Sequence, residues 1–105
     1  MTDARSDWII TAAELKTKLA EVVLVDVREP EEHAEVRIEG CVLIPLDEIQ
    51  GRAPQELDKN ADLVVYCAHG VRSVHALMAL KLMGFDRVRS LEGGIEAWLE
   101  EDKRQ

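Results

Sequence analysis

Short apolar runs alternate with stretches of helical spacing along the whole chain. Residues 8–10 (WII) open the series as a short strand. Thr11 followed by Glu14 is a capping box, in which hydroxyl and carboxylate each take up an amide of the first helical turn, and it predicts a helix to about Ala20. Residues 22–27 (VVLVDV) form an apolar run broken only by Asp26, the pattern of a strand buried on both faces of a parallel sheet. Pro30 suits the first turn of a short helix to about Val36. A third strand at 42–44 stops at Pro45. Asp47 is placed to cap a short helix that Gly51 would end. Residues 52–62 are polar and read as loop with at most one helical turn. Strands follow at 63–66 and 88–91. Between them residues 73–83 form a helix that is apolar nearly all round and stopped by Gly84. After Gly93 and Gly94 a last helix carries Ile95, Trp98 and Leu99 on one stripe. Five successive β-α units predict an α/β fold, a five-stranded parallel sheet with helices on both faces.

At 105 residues the chain is read as a single domain spanning 1–105, large enough to bury a core without covalent staples. Its charge is -8, from 21 acidic and 13 basic residues, which speaks against nucleic acid and against a basic membrane-surface domain. The acidity is uneven. Residues 1–50 carry 5 bases and 12 acids, and residues 51–105 carry 8 and 9. No apolar run approaches a membrane span and the N-terminus has no signal-peptide pattern, so a cytoplasmic location is expected. The 2 cysteines, Cys41 and Cys67, are too few for a disulfide framework. In a reducing compartment each is a small core residue or a reagent.

Ligands of open parallel sheets bind beyond the carboxyl ends of the strands. The informative segment there is CAHGVRS, from Cys67 to Ser73. Gly70 allows the loop the left-handed backbone that an inward-facing nest of amides needs. The helix start behind the loop brings a partial positive charge, and Arg72 brings a full one. All three favour a thiolate. Each pH unit by which the thiol is lowered takes ~1.36 kcal/mol. The helix terminus supplies about 0.3–2 kcal/mol, and hydrogen bonds to charged sulfur supply more. The bland alternative is a buried cysteine with a solvated arginine.

Four segments together resemble the rhodanese family of sulfurtransferases: LVDVREPEEH (24–33), IEGCVLIPLDEI (38–49), VVYCAHGVRS (64–73) and LMGFDRVRSLEGGIEAW (82–98). The resemblance implies a single rhodanese-like domain that moves a sulfane sulfur from a donor such as thiosulfate to cyanide or a thiol. The sulfur travels as a covalent persulfide on Cys67, with no cofactor. It further implies that Ala68, His69, Gly70, Val71, Arg72 and Ser73 form the substrate loop, Arg72 attracting the small anionic donor. Four residues separate Cys67 from Arg72. Phosphatases and arsenate reductases of this fold use a loop one residue longer, so the spacing favours sulfur transfer. Asp26 and Arg28 match the family's Asp-x-Arg signature and read as a bracing ion pair. The chain departs from the family at Val36-Arg37-Ile38, usually Gly-His-Ile, and at Cys41, commonly Ala.

A persulfide relay module, loaded by a partner protein for biosynthetic delivery, is the main alternative to small-molecule turnover. A phosphatase or arsenate reductase ranks below it, and an inert scaffold last. Cys41 reads as a filler rather than a thiol that resolves oxidised Cys67. His69 either meets the sulfur chemistry or points to water. His33 and His75 read as surface residues. The run Glu29, Glu31, Glu32, Glu35 and Glu39 reads as a solvated helix face, and Trp98 as core. A metal site from Cys67, His69 and His75 matches no usual zinc spacing and would consume the nucleophile, so no metal is expected.

Overall fold

A computed structural model describes residues 7–104. Five parallel strands, β1 (Ile9–Ile10), β2 (Val23–Asp26), β3 (Val42–Leu43), β4 (Leu63–Tyr66) and β5 (Val88–Leu91), lie in the order β1-β5-β4-β2-β3. The helices are α1 (Ala12–Lys18), α2 (Pro30–Glu35), α3 (Ile49–Glu56), α4 (Arg72–Leu82) and α5 (Gly94–Lys103), with 3-10 turns at Leu19–Glu21 and Leu46–Glu48. This is the α/β architecture that the alternating pattern predicts.

The side-chain alternation of β4, the central strand, divides the interior in two. Leu63, Val65 and Cys67 point to one face, where they pack with Ala53 of α3 and with Ala76, Leu77 and Leu80 of α4. Val64 and Tyr66 point to the other, against Leu15 of α1 and Ile95 and Trp98 of α5. The same alternation fixes the direction of the thiol. Cys67 emerges on the α4 face and Tyr66 on the α5 face.

The capping box of Thr11 and Glu14 forms as expected, each side chain bonded to the other's amide. Gly84 follows α4 with φ +96°. Two local expectations fail. Asp47 caps nothing, since Glu48 is the residue preceding α3 and makes no side-chain cap bond. Gly51 does not end a helix either, because α3 runs through both Gly51 and Pro54 to Glu56. Tertiary contacts override these weak helix formers. Ile49 and Ala53 are buried, while Arg52 pairs with Glu48 and Glu56 one turn away on either side and donates to the Leu43 carbonyl. Leu99 is exposed, so only Ile95 and Trp98 of its stripe reach the core. On α4, Val74, Met78 and Leu82 are also exposed, and the helix buries a single face. Among the described residues no helix is long and apolar enough to cross a membrane.

Candidate functional site

Cys67 follows β4 directly and is 1% exposed. Its sulfur accepts hydrogen bonds from the amides of Gly70 at 3.1 Å and Ser73 at 3.3 Å. The Ser73 hydroxyl lies 3.5 Å away. Gly70 has φ +100°, the left-handed conformation that turns its N–H inward. Ser73 belongs to the first turn of α4, whose amides have no partner within the helix and are free to meet the sulfur. Burial by itself raises the thiol. Against it act the Ser73 hydroxyl and the amides of Ser73, Gly70 and His69, and the balance leaves Cys67 below the ordinary thiol value. The site thus favours the thiolate form more than an ordinary cysteine environment does.

The loop is clamped from behind by α5. The Ile95 amide donates to the Cys67 carbonyl at 2.9 Å and the Glu96 amide to the Ala68 carbonyl at 3.3 Å. This approach requires glycine at 94. A Cβ there would stand 2.5 Å from the carbonyl oxygens of Cys67 and Ala68, and φ is +64°. The amides of Ile95 and Glu96 therefore hold the loop by its backbone, and Gly94 permits the close approach.

The remaining loop residues divide by direction. Ala68 is part of the clamp. His69 is exposed and its Nδ1 lies 2.7 Å from Glu96 Oε2, so its side chain sits on the outer rim. Val71 is 67% exposed and forms the tip. His75 is on the surface, as expected. The guanidinium of Arg72 is gripped by both carboxylate oxygens of Glu32, at 2.7 and 2.8 Å. Arg72 holds Glu32 at a pKa of about 2. Its charge also interacts with Cys67, whose ionised form it favours. Glu32 is thus a correction to the expectation of a uniformly solvated glutamate face. It also accepts from the Glu29 amide in a second capping box at the start of α2, so its pair with Arg72 joins that helix end to the loop.

Two further residues belong to this neighbourhood. Ser90, on β5, bonds the Ser73 hydroxyl at 2.7 Å, and both are buried. The hydroxyl chain Ser90–Ser73 therefore ends on the sulfur. Ser90 and Glu32 lie 17 and 40 residues from their partners, and no local spacing announces either.

Asp26 and Arg28 form a buried pair away from the thiol. Arg28 donates from Nε to Oδ1 at 2.9 Å and from Nη2 to Oδ2 at 2.8 Å, and its guanidinium also reaches the Val36 carbonyl. It lies over the Tyr66 ring, 5.5 Å from the centroid. Burial raises the Asp26 carboxyl, but bonds from Arg28 and His33 outweigh it and leave the group lowered. His33 is consequently a partly buried partner of Asp26 rather than a surface residue. Cys41 packs with the α5-side cluster, and Cys67 belongs to the α4-side cluster.

Residues 11–101 match the family model of the rhodanese-like domain. A sulfurtransferase from Allochromatium vinosum is 39% identical over 92 residues, covering 85% of each chain. The thiosulfate sulfurtransferase GlpE of Coxiella burnetii is 32% identical over 81 residues, 77% of this chain and 75% of that one. The two curated relatives that match at 41% identity are much longer, and the chain spans 23% of their length. Among solved structures, the human single domain sulfurtransferase TSTD1 superposes with TM-score 0.84 at 27% identity, covering 90% of this chain and 96% of that one.

Proposed function

The chain belongs to the rhodanese-like family, and from that membership we propose that it is a sulfurtransferase carrying sulfane sulfur on Cys67, with thiosulfate as a competent donor. The observation that carries this reading is the convergence of two loop amides and a hydroxyl on one buried sulfur. The Cys67 thiolate attacks the outer sulfur of thiosulfate, the S–S bond breaks, and sulfite leaves with its electron pair. A persulfide remains on Cys67. Cyanide or a thiolate then attacks the terminal sulfur and leaves as thiocyanate or a new persulfide, which regenerates the thiolate.

Arg72 acts here as part of a pair. With Glu32 bound, its charge guides an anion toward the mouth only weakly, and its main work is to hold α2 against the loop. The amides that bind the thiolate are placed to bind the persulfide anion as well. Thiosulfate as donor is supported by the name of the GlpE relative and by the size of the loop, built around one sulfur atom. A relay role remains the second reading, favoured by the exposed Val71 at the loop tip, where a partner protein would approach.

The test is thiocyanate formation from thiosulfate and cyanide. Saturable turnover in wild type that vanishes in Cys67→Ser supports the enzyme reading. Turnover only with a protein persulfide donor supports the relay. Turnover that survives Cys67→Ser refutes both, and Cys67-dependent phosphatase activity without sulfur transfer would move the chain to the oxyanion class.

A further inference from the structure

On the face of the sheet opposite to the Cys67 sulfur, three side chains of different chemistry meet. Asp26 is fully buried at the end of β2, His33 projects from α2 with a fifth of its side chain exposed, and Cys41 is half-buried before β3. The His33 Nδ1 is 3.0 Å from Asp26 Oδ2 and 3.9 Å from Cys41 Sγ, and the three donor atoms all lie within 4.8 Å of one another. Four-coordinate zinc, with bonds of ~2.0–2.3 Å, needs donors roughly 3.3–3.8 Å apart. The observed separations bracket that value, so side-chain adjustment alone brings the atoms to a common centre.

We propose that Asp26 Oδ2, His33 Nδ1 and Cys41 Sγ form a three-ligand site for a borderline transition-metal cation, Zn²⁺ in the first instance, with a fourth position open. The donor set decides the class. A thiolate and an imidazole select zinc-like ions over calcium or magnesium.

The surroundings fit ligation. Tyr66 donates its hydroxyl to Cys41 Sγ at 3.3 Å, a bond that also stabilises a metal-bound thiolate. Arg28 holds Asp26 Oδ1 through its amide and Nε, which leaves Oδ2 to face the metal with Nη2 as its remaining partner. Binding replaces the hydrogen bond between His33 and Asp26. The ring carries its hydrogen on Nε2, its Nδ1 lone pair goes to the cation, and the Cys41 thiol proton is released to solvent. With Arg28 counted, the donor set then holds one net negative charge against the cation's two positive ones. Cys67 takes no part, so the site stands or falls independently of sulfur transfer.

The experiment is a Co²⁺ titration of the Cys67→Ser protein, whose one remaining thiol is Cys41. The expected result is thiolate-to-cobalt charge-transfer absorption saturating at one equivalent and abolished by added Zn²⁺. His33→Phe in the same background should weaken binding by about tenfold or more, and further Cys41→Ala should remove the band. Circular dichroism of each variant checks the fold, and His33, partly exposed beside buried Asp26, is the variant safest in that respect. Absence of the band at saturating Co²⁺ overturns the assignment. So does a band whose affinity is unchanged by His33→Phe in a folded protein.

Discussion

Replacing Ser73 with alanine removes the hydroxyl beside the Cys67 sulfur and leaves the Ser73 amide in place. The hydroxyl lies 3.5 Å from the sulfur and 2.7 Å from Ser90 Oγ. Hydrogen bonds to charged groups contribute roughly 1.5–3 kcal/mol, and the long contact to sulfur puts this one at the lower end. About 1.4 kcal/mol is tenfold in the ratio of thiolate to thiol. The sign follows from which form loses its partner. The thiolate loses a donor, so the thiol becomes harder to ionise and the profile of alkylation rate against pH moves to higher pH. Iodoacetamide should therefore react about tenfold more slowly on the acid limb, with the curves converging at high pH. The same substitution strands the buried Ser90 hydroxyl, at about 1–3 kcal/mol of stability. Among the described residues no buried side-chain polar atom now lacks a partner. The double variant Ser73→Ala/Ser90→Ala should regain part of that stability and keep the displaced alkylation profile. A Ser73→Ala profile superimposable on wild type, or displaced to lower pH, would refute this account of the thiolate.

Two other perturbations test how the loop is held. Gly94→Ala forces a Cβ to 2.5 Å from the Cys67 and Ala68 carbonyls at φ +64°, so it should cost at least the ~1–2 kcal/mol of left-handed strain and abolish sulfur loading; Gly51→Ala, with no atom within 4 Å of its Cβ, should leave the thermal midpoint unchanged or higher. Glu32→Gln removes a carboxylate lowered from 4.5 to about 2, whose stabilisation is present above pH 4.5 and lost as the pH falls toward 2. Because both side chains are about one-third exposed, the expected loss at pH 7 in urea unfolding is about 1 kcal/mol, vanishing near pH 2, and equal stability of the two proteins at pH 7 would contradict it.

The parts of the site that the sequence makes legible are local in the chain. Cys67, Gly70 and Ser73 lie within seven residues between a strand and a helix, and the backbone geometry of that segment alone directs amides to the sulfur. The capping box at Thr11 and the parallel-sheet strands are legible for the same reason. What escapes a reading along the chain depends on tertiary placement. Glu32 looks like one acid among five until α2 docks beside α4. Ser90 looks like a strand residue until the start of α4 packs against β5. His33 and Cys41 acquire chemistry only when β2, α2 and the segment before β3 meet at Asp26. Gly51 and Pro54 mislead in the opposite direction, since their intrinsic preferences lose to the packing of Ile49 and Ala53 and to the ion pairs of Arg52.

The central claim, that Cys67 carries sulfur as a persulfide, is tested most directly by the intact mass of the protein after incubation with thiosulfate. Wild type and Cys41→Ala should each gain one sulfur atom that cyanide removes, and Cys67→Ser should gain none. A wild-type protein that gains no sulfur from thiosulfate or any other sulfane donor, or a gain that persists in Cys67→Ser, would contradict the account.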